Sequence, residues 1–203
     1  MKLITLFLAL SILTGCSETN SSVDALPETL AKRIPKGYQS AAFRSMDFNG
    51  DGVKDFVVIA TSMKEKESTA LTGQDSPKRL VLVYFGTRAA NELSYQLVAQ
   101  NDSVALPANG GGMAAPCDPL FDQGDGLAVK DAYFTVENQV ACGAHWSDFI
   151  TFKYSASAKG MVFHNRILES SGLSDKTGEF GVTQRKVEKA GTKAVLLQDY
   201  KAY

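Results

Sequence analysis

The feature that most constrains this chain is a succession of short runs of β-branched and aromatic residues, each bounded by turn-forming residues. Phe56 to Ala60 reads FVVIA, Leu80 to Phe85 LVLVYF and Tyr95 to Ala99 YQLVA; Leu127 to Val136 partly alternates, Phe149 to Tyr154 reads FITFKY, Met161 to Ile167 MVFHNRI and Ala194 to Leu197 AVLL. Runs of this length and composition are strands. Only Leu26, Leu30 and Ile34 recur at helical spacing, between Pro27 as an early helical residue and Pro35 as a stop, so one short helix is expected over Pro27 to Ile34. Nothing alternates strand with helix as a parallel sheet requires. The reading is a mainly β fold of compact, mostly antiparallel sheets with a short N-terminal helix. Lys64 to Ser76 and Glu169 to Glu179 read as loops. At 203 residues the chain has room for one domain with a tail.

The first residues read as an address. In MKLITLFLALSILTGC, Lys2 is the positive start and Leu3 to Leu13 a mostly apolar run of eleven residues. A membrane-spanning helix needs roughly 20 apolar residues, so this run is too short to span permanently. The Leu13-Thr14-Gly15-Cys16 that follows resembles the lipobox of bacterial lipoproteins. The resemblance implies cleavage before Cys16, lipidation of its thiol and stable anchoring through several acyl chains; an ordinary secretory signal with a chance cysteine is the alternative. Residues 1–15 are then a signal peptide, 16–25 a lipidated polar tether and 26–203 the β domain. Ser17 after the lipidated cysteine implies the outer membrane, facing the periplasm, if the source has two membranes. Cleavage removes Lys2 alone among charged residues, leaving 20 basic against 22 acidic, a net charge of −2. That balance argues against a nucleic-acid partner, whose phosphates demand a basic excess.

Cys117 and Cys142 remain, and an even pair in an oxidising compartment is read as a disulfide. Cys142 beside His145 leaves open a nucleophile with its base, a reading the available partner thiol disfavours. The acidic cluster Asp118, Asp122, Asp125 and Asp131 is expected in a solvated hairpin. No GxSxG elbow, HExxH or phosphate-cradling loop before a helix is present, and Asp148, three residues after His145, makes a weak catalytic pair.

The most specific chemistry lies in Asp47-Phe48-Asn49-Gly50-Asp51-Gly52-Val53-Lys54-Asp55. Side-chain oxygens at positions 1, 3, 5 and 9 suit calcium, a hard cation that takes six to eight oxygen ligands. Asp47, Asn49, Asp51 and Asp55 are the candidate side-chain ligands, Val53 offers its carbonyl, and Gly52 permits the sharp turn. Val58 occupies position 12, where an EF-hand carries its glutamate. The alternative is an Asx-rich turn without metal. DxNxDGxxD running into an apolar strand resembles the calcium loops of FG-GAP repeats in integrin-like β-propellers. The order helix, IPKGY, DFNGDGVKDFVVI, LVLVYFG, YQLVAQND, GGGM, FTVEN, FITFKY extends the likeness to secreted bacterial FG-GAP-like proteins and lipoproteins, over roughly Ile34 to Ile167. The resemblance implies a largely structural Ca2+ and one or two blade-like sheets, the chain being too short for a closed propeller. The expected function is a non-catalytic, lipid-anchored envelope protein that binds a protein or glycan. A periplasmic enzyme inhibitor or immunity protein, with Gly110 to Asp125 as its projecting loop, and a hydrolase of unrecognised site are the alternatives.

Overall fold

The computed structural model describes residues 25–65, 76–89, 92–108, 118, 120, 125–140, 145–174 and 176–203. Cys16, Cys117, Cys142, Asp122 and Gly110 to Gly112 lie outside them, and with them the expected lipidation site, disulfide and glycine-rich loop.

The fold is mainly β, in two antiparallel sheets. The first is a four-stranded meander of β1 (Tyr38–Met46), β2 (Asp55–Ser62), β3 (Leu80–Ala89) and β4 (Glu92–Asn101). The second is a five-stranded meander of β5 (Leu127–Lys130), β6 (Tyr133–Val140), β7 (His145–Ser155), β8 (Gly160–Leu173) and β9 (Phe180–Lys189). Among the described residues the strands close into neither a barrel nor a propeller.

Burial explains the two kinds of strand sequence. Val57, Ile59, Val81 and Val83 of the first sheet pack against Phe134, Val136, Ile150, Phe152 and Met161 of the second, forming the main core. The alternate residues Phe56, Val58, Ala60, Leu80, Leu82 and Tyr84 point the other way and are buried too, under Leu26, Leu30 and Ile34. A sheet covered on both faces needs apolar residues at every position, hence the unbroken FVVIA and LVLVYF. The helix α1 (Glu28–Ala31) supplies that cover; it is shorter than Pro27 to Ile34, although backbone bonds continue the turn to the Ile34 N–H. Tyr84 ties it down by donating its hydroxyl to the Arg33 carbonyl at 3.0 Å. In β6 only alternate residues are buried, as on a sheet with one covered face.

Five segments differ from the sequence reading. The Leu127–Val136 run is two strands, because Asp131 takes a left-handed φ of 52° and turns the chain back. Ala194 to Leu197 is no strand: Leu196 makes one bridge to Val162, and Leu197 is buried by a 3-10 turn, Leu197–Asp199. β1 and β9 carry no continuous apolar run, and β8 extends through Glu169 to Leu173, a stretch expected as loop.

Candidate functional site

The DxNxDGxxD loop connects β1 to β2, and hydrogen bonds from its own backbone shape it. Asp47 Oδ1 accepts from the N–H groups of Gly50 (2.8 Å) and Asp51 (3.1 Å), and its Oδ2 from Gly52 (2.8 Å). Asn49 Oδ1 accepts from the Asp51 N–H at 2.9 Å, and its Nδ2 donates to Asp51 Oδ2 at 3.0 Å. Asp51 Oδ1 accepts from the Val53 N–H at 2.8 Å. These are nested Asx turns, and they require the chain to wrap tightly round the Asp47 carboxylate. Gly50 and Gly52 make the wrap possible, with φ of 77° and 81°, a region that costs a side-chain-bearing residue roughly 1 kcal/mol or more.

Two residues fasten the loop to the body of the domain. Phe48 is buried and packs edge-on against Phe134 of the opposite sheet, with ring centroids 6.2 Å apart. Asp55, the first residue of β2, is fully buried; its Oδ2 accepts from the Phe48 N–H and its Oδ1 from the Gly86 N–H of β3, both at 2.9 Å. Burial pushes the Asp55 carboxyl up to about 6 against those lowering hydrogen bonds, and the negative charge of Asp51 adds to the rise. β3 reaches Asp55 only because residue 86 is glycine: a Cβ there would lie 2.5 Å from the Lys54 carbonyl oxygen and 2.7 Å from Val53 Cγ1. On the outside, Asp51, Gly52 and Val53 line a shallow depression with Thr87 and Arg88 of β3.

The donor set is chemically suited to a hard cation. Asp47, Asn49 and Asp51 present oxygens on one exposed turn; Asp47 Oδ1 already accepts two N–H groups, whereas Asp47 Oδ2, Asn49 Oδ1 and both Asp51 oxygens accept one each and retain a second lone pair. Asp55 is a buried carboxylate whose charged form is disfavoured, the condition a bound cation relieves. Among the described residues no group of three or more His, Cys, Asp or Glu side chains is gathered closely enough to hold a metal, in keeping with carboxylates here turned toward backbone donors.

The other residues singled out in the sequence lie apart. His145 packs edge-on against Phe180 and His164 against Tyr133, with centroids 4.9 and 5.1 Å apart. Asp148 is fully buried, is held bidentately by Arg166 (2.7 to 3.1 Å) and accepts from the Tyr203 hydroxyl. Three residues apart on one strand, His145 and Asp148 face opposite sides and form no pair. Asp118 is not in a solvated hairpin: it grips the fully buried guanidinium of Arg79 with two bonds of 2.6 Å, alongside Glu65 at 2.8 Å. Asp125 pairs with Arg44 of β1, and Asp131 makes the β5–β6 turn. Sequence reasoning missed Phe48, Gly86 and Arg79. A glycine closing the LVLVYF run was the one available signal; the others depend on partners brought together only by the fold.

Comparison with family models, with curated proteins and with solved structures gave no match to this chain.

Proposed function

We propose that the chain is a lipid-anchored cell-envelope protein whose β domain is non-catalytic, braced by calcium, and used to bind a protein or glycan. The observation that carries the reading is the Asp47–Asp55 loop: three carboxylates and an amide on one nine-residue turn, seated by Phe48 and Asp55 between β1, β2 and β3. Asp47, Asn49, Asp51, the Val53 carbonyl and Asp55 would hold Ca2+, and its charge would offset the mutual repulsion of the three carboxylates. The brace falls where it stiffens a framework: loop, β2 and β3 share the Asp55 carboxylate. The likeness to FG-GAP-like loops supports the ion's structural role, the Leu13–Cys16 pattern supports the anchor, and Ser17 supports an outer-membrane, periplasm-facing location if the source has two membranes.

Calcium at an extracellular-type affinity of roughly 10⁻⁴ to 10⁻³ M stabilises by mass action. At ten times the dissociation constant the gain is about 1.4 kcal/mol, or roughly 3–6 °C in a domain of this size. Melting in 10 mM calcium against chelator should show that rise, and Asp51→Ala should remove it. Equal melting temperatures with and without calcium would end the brace.

A further inference from the structure

We infer that calcium on the Asp47–Asp55 loop sets how firmly the far end of the β3–β4 pair is held, making that end a calcium-ordered element of the surface. The ladder between β2 and β3 stops at Phe56 opposite Tyr84, whereas β3 and β4 run on together to Ala89 opposite Glu92. Phe85–Ala89 and Glu92–Gln96 therefore overhang β2 as a two-stranded ribbon. Such a ribbon is marginally stable at best in water on its own. The chain that precedes β2, lying where that ladder would continue, is the loop itself.

Aromatic contacts secure the base of the ribbon. Phe85 packs edge-on against Tyr154 of the second sheet, with ring centroids 5.6 Å apart, and Tyr95 against Phe56 at 5.3 Å. Beyond them residues 87–89 and 92–94 are exposed, and the Thr87 and Ser94 hydroxyls share a 2.8 Å bond across the strands. The loop fastens this end to the domain. One carboxylate, Asp55, accepts from the Gly86 N–H of the ribbon and from the Phe48 N–H of the loop, both at 2.9 Å. Gly86 also lies so close that a Cβ on it would stand 2.5 Å from the Lys54 carbonyl oxygen and 2.7 Å from Val53 Cγ1. Thr87 and Arg88 share one depression with Asp51, Gly52 and Val53. Asp51, Val53 and Asp55 are thus both the proposed holders of the ion and the residues the ribbon leans on. A carboxylate oxygen that accepts one N–H keeps a lone pair for a cation, so Asp55 can serve Gly86 and calcium together. An ion that draws these oxygens to one point removes the loop motions that let β3 lift away. Calcium then favours the seated ribbon over the lifted one by mass action.

This inference rests on the reading of the loop as a calcium site. The test uses the full chain in detergent, with hydrogen exchange followed by mass spectrometry in 10 mM calcium and in chelator, and calcium uptake measured by calorimetry on the same sample. At ten times the dissociation constant mass action lowers an ion-free open form about tenfold, so exchange over residues 87–94 should slow by about threefold to tenfold. β9, exposed along its whole length and paired with β8, is the reference; residues 180–186 should change by less than about twofold. Gly86→Ala, which parts β3 from the loop, should still take up calcium, more weakly by linkage, and should lose most of the slowing. Asp51→Ala should lose both uptake and slowing. Wild-type uptake with no slowing over residues 87–94 would overturn the inference and leave the brace standing. Equal slowing in residues 180–186, or a Gly86→Ala chain that binds and slows as the wild type does, would also overturn it. No uptake by the wild type would overturn the brace and the inference together.

Discussion

Gly86→Ala tests how tightly the Asp47–Asp55 loop is locked to the sheet. The added Cβ would sit 2.5 Å from the Lys54 carbonyl oxygen, a backbone atom that no rotamer change can move aside, and 2.7 Å from Val53 Cγ1. Carbon–oxygen contacts settle at about 3.3 Å or more, so β3 and the end of the loop must part by roughly 0.8 Å. That displacement strains the 2.9 Å bond from the Gly86 N–H to Asp55, carrying it toward the limit at which such bonds fail. Overpacking costs about 1–3 kcal/mol, and weakening a hydrogen bond to a buried carboxylate adds about 1–2 kcal/mol. The variant should lose about 2–4 kcal/mol, read as a lower urea midpoint at unchanged slope. Gly181→Ala is the matched control, because a Cβ on that exposed strand residue meets nothing within 4 Å; it should be neutral or stabilising by up to about 1 kcal/mol. If the two variants unfold within about 0.5 kcal/mol of each other, the close approach of β3 to the loop is not a constraint on the fold.

Replacing Arg79 by Met strips the cation from Glu65 and Asp118, which grip it in the interior. Breaking a buried pair from one side costs about 3–5 kcal/mol, so thermal denaturation should fall by about 10 °C; an unchanged melting temperature would show that the acids are adequately solvated without it. Asn101→Ala removes the amide that donates to the Leu197 and Tyr200 carbonyls at 2.7 and 2.8 Å and accepts from the Ser103 N–H. About 2–4 kcal/mol should be lost, with hydrogen exchange accelerating first in residues 197–203; acceleration spread evenly over the chain would argue against this local clasp. Labelled fatty acid should enter the wild-type chain and not Cys16→Ser, and equal incorporation would remove the lipid anchor.

How far the sequence revealed the structure depended on where each segment's partners lie. β2 and β3 announced themselves because both of their faces are buried, so every residue from Phe56 to Ala60 and Leu80 to Tyr84 had to be apolar. β9 was silent for the opposite reason: exposed on both faces, it carries no burial period. The β5–β6 boundary was hidden because Asp131, not glycine, takes the left-handed conformation at the turn. Leu197 reads as strand by composition, yet it is buried from a 3-10 turn and needs no ladder. The loop chemistry was local and could be read from oxygen spacing within nine residues. The contacts that seat it are not local: Asp55 meets Gly86 from 31 residues away, and Arg79 meets Asp118 from 39.

Calorimetric titration of the full chain with calcium chloride tests the central claim most directly. The account predicts one ion per chain at submillimolar to millimolar affinity in the wild type, and no measurable heat of binding for Asp51→Ala. Wild-type protein that takes up no calcium at 10 mM, or an alanine variant that binds it equally well, would contradict the claim that these oxygens are a cation site.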